Sequence, residues 1–335
     1  MSLRKAESHS GLRPSLVPPG VFFFLLIFLY LPAKTTEADC SFPAIFNFGD
    51  SNSDTGGFWA AFPAQRAPFG MTYFKKPAGR ASDGRAVIDF LAQALGLPFL
   101  SPYLQSIGSN FSHGANFATA SSTVLLPSLF VTGISPFSLA IQLNQMNELR
   151  VRVFEMSPQD YLPSKGIFAK ALYTFDIGQN DFAYIGIGGD KQFLSQVANQ
   201  IAWTIKELYN NGGRTFMTQS ELQNASVIYV DTHSVKLEVF QHPKKYGFIY
   251  GTKACCGSGG GSYNYNPQVF CGNNKIINGI NVTASACSDP QNYVSWDGVH
   301  ATEATNKIII RAILSGSYFD PPFPLSHLCN LKPIC

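Results

Sequence analysis

The chain has 335 residues, with 24 Lys/Arg against 21 Asp/Glu, a formal charge of +3. Past residue 38 the balance narrows to 20 against 19, which gives nucleic acid or an anionic membrane no electrostatic grip and argues against both as partners. The 297 residues after that point suffice for one large α/β domain.

The first segment reads as an address. Arg4, Lys5 and Arg13 precede an apolar run of 11 residues, 21–31, too short to span the ~30 Å of a bilayer. Ala38 offers a small residue at a cleavage point before Asp39. The expectation is a signal peptide over 1–38 and a secreted single domain over 39–335, extracellular or in a cell wall. No later stretch is apolar enough to span a membrane. All seven cysteines follow residue 38, at 40, 255, 256, 271, 287, 329 and 335, and secretion favours disulfides among them. An odd number leaves one thiol without a partner in the chain. No pair has the spacing of a zinc site. Asn110, Asn224 and Asn281 head glycosylation sequons, which predict surface positions.

The mature chain opens on 44–57, AIFNFGDSNSDTGG. Its alternating apolar run predicts a strand that ends at Gly49 and delivers Ser51 to a sheet edge, with Asp50 and Asn52 pinning the turn. Val87, Ile88, Leu91 and Leu95 have helical spacing and predict a helix over 83–95, stopped by Gly96. A short strand is expected at 97–100, a loop carrying Gly114 over 109–122, and a helix over 141–154. A buried strand at 171–177 then delivers Gly178-Gln179-Asn180-Asp181. A helix over 193–209 is closed by Asn210-Asn211-Gly212-Gly213, and a strand follows at 226–230. The rest reads as a short helix at 234–241, a cysteine-rich loop over 251–288 and a closing helix over 302–314. Strands alternating with helices predict a three-layer α/β/α fold around a mostly parallel sheet.

Near the C-terminus, Trp296-Asp297-Gly298-Val299-His300 supplies an acid and an imidazole three residues apart. Ser51, Asp297 and His300 are the parts of an acyl-transfer triad: a nucleophile, a general base, and a carboxylate that holds the imidazole. Signatures of other chemistries are missing. There is no GxSxG, HExxH, EF-hand or P-loop pattern, and the glycines at 257–261 do not open a helix after a strand. No metal or cofactor is expected.

Four blocks, GDSNSDTGG, Gly114-Ala115-Asn116-Phe117-Ala118, Gly178-Gln179-Asn180-Asp181 and Asp297-Gly298-Val299-His300, resemble in order and spacing those of plant GDSL-type esterase/lipases. These belong to the SGNH hydrolase superfamily. The tetrapeptide here is GDSN, a change away from the nucleophile. The resemblance implies the flavodoxin-like SGNH fold and a secreted, cofactor-free hydrolase of small-molecule, lipid or sugar esters. It assigns Ser51, Asp297 and His300 to catalysis, and the N–H groups of Ser51 and Gly114 with the Asn180 amide to an oxyanion hole. The alternative is a catalytically impaired secreted glycoprotein acting through binding, because a core unit is missing. In the family a strand, loop and helix intervene between the segments matching 214–217 and 226–230, and here only residues 218–226 do. A parallel crossover takes about a dozen residues or more. The expectation is therefore a sheet one strand short, with 226–230 beside 171–176 and four parallel strands.

Overall fold

Side chains along β1 (Ile45–Gly49) alternate between two apolar environments, and this sets the layers of the fold. Phe46 and Phe48 enter a core built from Phe117, Tyr173 and Phe216, while Ile45 enters a second with Leu172, Met217 and Ile228. The computed structural model describes residues 42–127, 135–156, 158–185, 191–217, 226–327 and 329–334. The leader expected over 1–38 and the sequon at Asn224 lie outside these residues.

After β1 come helices α1 (Gly57–Ala61) and α2 (Val87–Ala94), strand β2 (Gly114–Asn116), helix α3 (Leu139–Met156) and strand β3 (Leu172–Asp176). Helices α4 (Gln179–Ile185) and α5 (Lys191–Asn210), strands β4 (Thr215–Met217) and β5 (Ser226–Val230) and helix α6 (Thr232–Gln241) follow. The cysteine-rich region holds β6 (Tyr250–Ala254), β7 (Cys256–Gly257), β8 (Asn274–Ile277), β9 (Ile280–Thr283), β10 (Ser285–Ala286) and β11 (Tyr293–Ser295). Helix α7 (Glu303–Ser315) and strand β12 (Phe319–Asp320) complete the order.

The main sheet runs β12-β5-β4-β3-β1-β2, with β1 to β5 parallel and β12 antiparallel on one edge. Helices α3 and α5 cover one face through Leu143, Met146, Val197 and Ile205. Helices α2 and α7 cover the other through Ile88, Leu91, Ile309 and Ile313. The result is the expected three-layer α/β/α fold. Strand order turns back between β1 and β3, and an open α/β sheet forms its ligand crevice outside the strand ends at such a point.

Three sequence expectations need correction. No strand forms at 97–100; the second strand is β2, inside the segment read as a loop, and it pairs with β1 from Ile45↔Gly114 to Asn47↔Asn116. Nor does 226–230 move beside 171–176: β4 lies between, bonded in parallel to β3 and to β5. The sheet accordingly has five parallel strands, not four. A dozen-residue crossover applies to strands of ordinary length. Three-residue β4 needs a return of only ~10 Å, within reach of the eight residues that separate the two strands.

Candidate active site

The turn after β1 is fixed by hydrogen bonds on three sides. Asp50 N–H donates to the Asp176 carbonyl at 3.1 Å, tying the end of β1 to the end of β3. The N–H groups of Ser53 and Asp54 donate to the Asp50 carbonyl at 3.2 and 2.9 Å, and Asn52 N–H donates to Asp50 Oδ1 at 3.0 Å. Buried Gln142 of α3 clamps Gly49: its Oε1 accepts from Gly49 N–H at 2.9 Å, and its Nε2 donates to the Gly49 carbonyl at 2.8 Å. Glycine is required at 49 because a Cβ would collide with Ser53 Oγ and the Asp176 carbonyl. This packing presents Ser51 at the C-terminal edge of β1.

His300 reaches the same edge from the other end of the chain. Its Nε2 lies 2.8 Å from Ser51 Oγ, and its Nδ1 lies 2.7 Å from Asp297 Oδ2. Asp297 Oδ1 accepts the N–H groups of Val299 at 2.9 Å and His300 at 2.8 Å, which holds the acid and the base in one short loop. Burial works against a charge on His300, but the neighbouring Asp297 carboxylate, its hydrogen bond and the Asp50 charge outweigh it and raise the imidazole above its usual range. Burial likewise opposes the Asp297 charge. The imidazolium and the N–H donors around the carboxylate overcome it, leaving this acid below the usual carboxylate range.

The cysteine-rich region backs this loop, a role the sequence reading did not give it. Disulfides Cys255–Cys287 and Cys256–Cys271 surround the fully buried Trp296. Cys255 N–H donates to the Ser295 carbonyl at 3.1 Å and Cys256 N–H to the Trp296 carbonyl at 2.6 Å. Cys329 is also disulfide-bonded. Beyond His300, Thr302 caps α7 by accepting Thr305 N–H at 3.3 Å, so the helix begins where the triad ends.

Of the residues expected in an oxyanion hole, Ser51 and Asn180 stand at the edge beyond β1 and β3. Asn180, in the first turn of α4, donates through Nδ2 to the Ser122 carbonyl at 2.8 Å. Gly114 does not join them. It pairs with Ile45 at the opposite end of β1 from Ser51, and its N–H donates to the Phe111 carbonyl at 2.9 Å. Its φ of 102° and the closeness of the Ile45 backbone account for glycine there structurally. The segment that does rise from β2 to the Ser51 edge is 118–122, where Thr119 N–H donates to the Gly49 carbonyl at 3.3 Å. Asp54 stitches this segment to the nucleophile turn, taking N–H bonds from Gly56, Gly57 and Phe58 and from Ala120. Burial nevertheless pushes Asp54 up to about 6. Ser121, at φ 63°, offers a backbone N–H that has no acceptor among the described residues. No glycine stands at 121 to mark this left-handed turn in the sequence.

The remaining sequence candidates lie on the surface or outside the described residues. Asn110 and Asn281 are exposed. Among the described residues no cluster of His, Cys, Asp and Glu could hold a metal ion, and no helix is long and apolar enough to cross a membrane.

The model of the GDSL-like Lipase/Acylhydrolase family matches residues 45–221 and 205–313. The chain is 55% identical to GDSL esterase/lipase At4g01130 of Arabidopsis thaliana over 91% of its length and 96% of the relative's. It is 38% identical to GDSL esterase/lipase At5g14450 of the same plant, over 94% of the chain and 97% of the relative. Identity is also 38% to GDSL esterase/lipase ENOD8 of Medicago truncatula, with the same coverage. The first of these alignments runs over 367 positions, more than the 335 residues of the chain, so it must open gaps here. The family match breaks into two pieces that overlap at 205–221, the region where the sequence places the missing unit. The chain belongs to the GDSL-like lipase/acylhydrolase family and is a carboxylic-ester hydrolase.

Proposed function

We propose that the chain is a secreted serine esterase that works through an acyl-serine intermediate. The observation that carries this reading is the unbroken path from Ser51 Oγ through His300 to Asp297, with contacts of 2.8 and 2.7 Å. His300 Nε2 takes the hydroxyl proton as Ser51 Oγ bonds to the ester carbonyl carbon. The Ser51 N–H and the remaining N–H of the Asn180 amide are the donors we assign to the charge that forms on the carbonyl oxygen. Collapse of the tetrahedral adduct breaks the bond to the alcohol, which leaves with the proton from His300. A water molecule then gives its proton to His300 and attacks the acyl-serine, and breakdown of that adduct frees the acid and restores Ser51.

Secretion is supported by the leader over 1–38 and by a triad loop that depends on disulfides, which form in oxidising compartments. Exposed Asn110 and Asn281 are then glycosylation sites. N-terminal sequencing of protein recovered from the medium should begin at Asp39, and retention of residues 1–38 would overturn the leader reading.

A fluorophosphonate probe with a small alkyl group tests the mechanism. Peptide mapping should find the label on Ser51, and S51A should fold, take no label and hydrolyse no ester. A label elsewhere, or activity in purified S51A, overturns the nucleophile. A catalytically impaired binding protein would take no label.

A further inference from the structure

Residues 79–86, GRASDGRA, form neither helix nor strand, yet Arg80, Ser82, Asp83 and Arg85 are all buried. Charges leave water only where partners are supplied. The partners here belong to the two stretches of chain that carry the triad.

One end of the segment grips the stretch that follows Ser51. Asp89 of α2 holds the Arg80 guanidinium through Nε at 3.0 Å and Nη2 at 2.5 Å. So held, Arg80 Nη1 donates to the Thr55 carbonyl at 2.9 Å, four residues after Ser51. Gly79 lies against Gly56 so closely that a Cβ would collide with its backbone.

The other end grips the stretch that follows His300. Ser82 Oγ donates to the Ala301 carbonyl at 2.9 Å, directly after the imidazole. Asp83 Oδ1 accepts Glu303 N–H at 2.8 Å, and Glu303 answers by accepting Arg85 N–H through Oε2 at 3.0 Å. Glu303 Oε1 pairs with Arg85 Nη2 at 2.7 Å, and Asn306 Nδ2 donates to the Arg85 carbonyl at 3.0 Å. The Glu303 carboxylate occupies the space that a Cβ at Gly84 would fill. From outside, Gly70 N–H and Thr72 N–H donate to the carbonyls of Ser82 and Asp83 at 3.0 and 2.8 Å.

Between the two grips the segment lies against the reaction centre itself: Ala81, Ser82 and Ala86 line the small recess that Ser51 and His300 share. The loop from Asp297 to His300 closes on itself, which sets the acid against the base but not the base against the nucleophile. We propose that 79–86 is the bracket that sets the distance from His300 Nε2 to Ser51 Oγ, with Ser82 and Glu303 as positioning residues acting through His300. The proposal rests on the acyl-serine reading above.

The test pairs p-nitrophenyl acetate kinetics with titration of Ser51 by a methyl fluorophosphonate. A misplacement of about 1 Å can cost about 10² in rate, so E303A, which opens the main grip, should lower kcat by roughly that factor. S82A removes a single bond and should lower kcat about tenfold, and KM should stay within about twofold in both. E303Q keeps one of the two acceptor oxygens and should fall between E303A and the parent. Every chain of each variant should still label at Ser51, but at a lower rate, because each keeps its triad at the wrong spacing. A merely structural role would reduce the number of sites that label and leave the rate per labelled site unchanged, and that result overturns the proposal. So does a kcat within twofold of the parent in both S82A and E303A. Should E303A not fold, S82A and E303Q carry the same test. Failure of the parent itself to label overturns the acyl-serine reading and the bracket with it.

Discussion

Replacing Asp297 by asparagine isolates the role of one oxygen. Asp297 Oδ1 accepts two backbone N–H groups, at 2.9 and 2.8 Å, while Oδ2 faces His300 Nδ1 at 2.7 Å. In D297N the amide oxygen has to keep the two backbone donors, because turning the side chain would set its NH2 against them. The NH2 group then points at Nδ1 and holds that nitrogen as an acceptor, which moves the ring proton to Nε2. An imidazole with Nε2 protonated cannot take the proton of Ser51. In serine proteases the same exchange costs about 10⁴ in turnover, and about 1.36 kcal/mol per tenfold makes that roughly 5 kcal/mol of barrier. The backbone bonds survive, so melting should change by only a few degrees. D297A, by contrast, orphans both N–H groups at about 1–3 kcal/mol each and should melt lower. The assay is p-nitrophenyl acetate hydrolysis beside a thermal melt. Turnover of D297N within tenfold of the parent would refute the tautomer argument.

Other outcomes follow from the electrostatics and the backbone. Because Asp297 holds His300 above the usual imidazole value of 6.5, activity should rise with pH through a midpoint above that value; a flat profile would remove His300 as the base. Asp50 is fully buried with Oδ2 unpartnered, and burial together with the nearby Asp176 pushes it up to about 7. A raised folded pKa means stability is lost as pH climbs from 3.8 through 7, so D50N should outlast the parent in urea at pH 8. That advantage should shrink steadily toward pH 4, and a difference independent of pH would contradict the assignment. At Gly114 a Cβ meets the Ile45 carbonyl at a φ of 102°, so G114A should lose stability and activity together. A fully stable G114A protein with a hundredfold loss of turnover would return this residue to the oxyanion hole.

The sequence made the strongest elements legible and hid those that depend on register. Strand β5 falls at the residues its apolar run marks, and α7 starts one residue after the position its pattern indicates. Strand β2 has three residues, too few for alternation to show, and becomes a strand only by pairing with β1. That omission caused the error at Gly114. Once Gly114 is paired with Ile45, the length of β1 separates it from Ser51, and a motif read without its register cannot reveal this. Gln142 was hidden for a related reason. A lone glutamine in an amphipathic helix looks like a polar-face residue, and only the fold brings it to Gly49, 93 positions away in sequence. The triad was legible because Asp297 and His300 lie three residues apart and the loop between them closes on itself.

The missing unit and the reaction centre fall on different parts of this fold. Ser51 and Asn180 follow β1 and β3, and their turns are held by Gln142 of α3, by Asp176 and by the segment from β2. His300 is held by Trp296, two disulfides and the cap of α7. None of these supports comes from β4 or β5, and the two matched pieces overlap at 205–221, a stretch that includes β4. The consequences of the gap appear there instead. Tyr229 in β5 is 37% exposed, Leu194 and Trp203 on α5 are each 48% exposed, and an apolar cavity opens over the end of β4. Exposed apolar surface and unfilled space reduce stability, but they bend a triad only if they reach its supports. Here the cavity touches Ser53 and Asp176 beside the Ser51 turn, while no residue of the Asp297–His300 loop lines it. The cost of the gap thus falls first on stability, while the loop that holds Asp297 and His300 together is closed by its own hydrogen bonds and backed by the disulfides, away from β4 and β5.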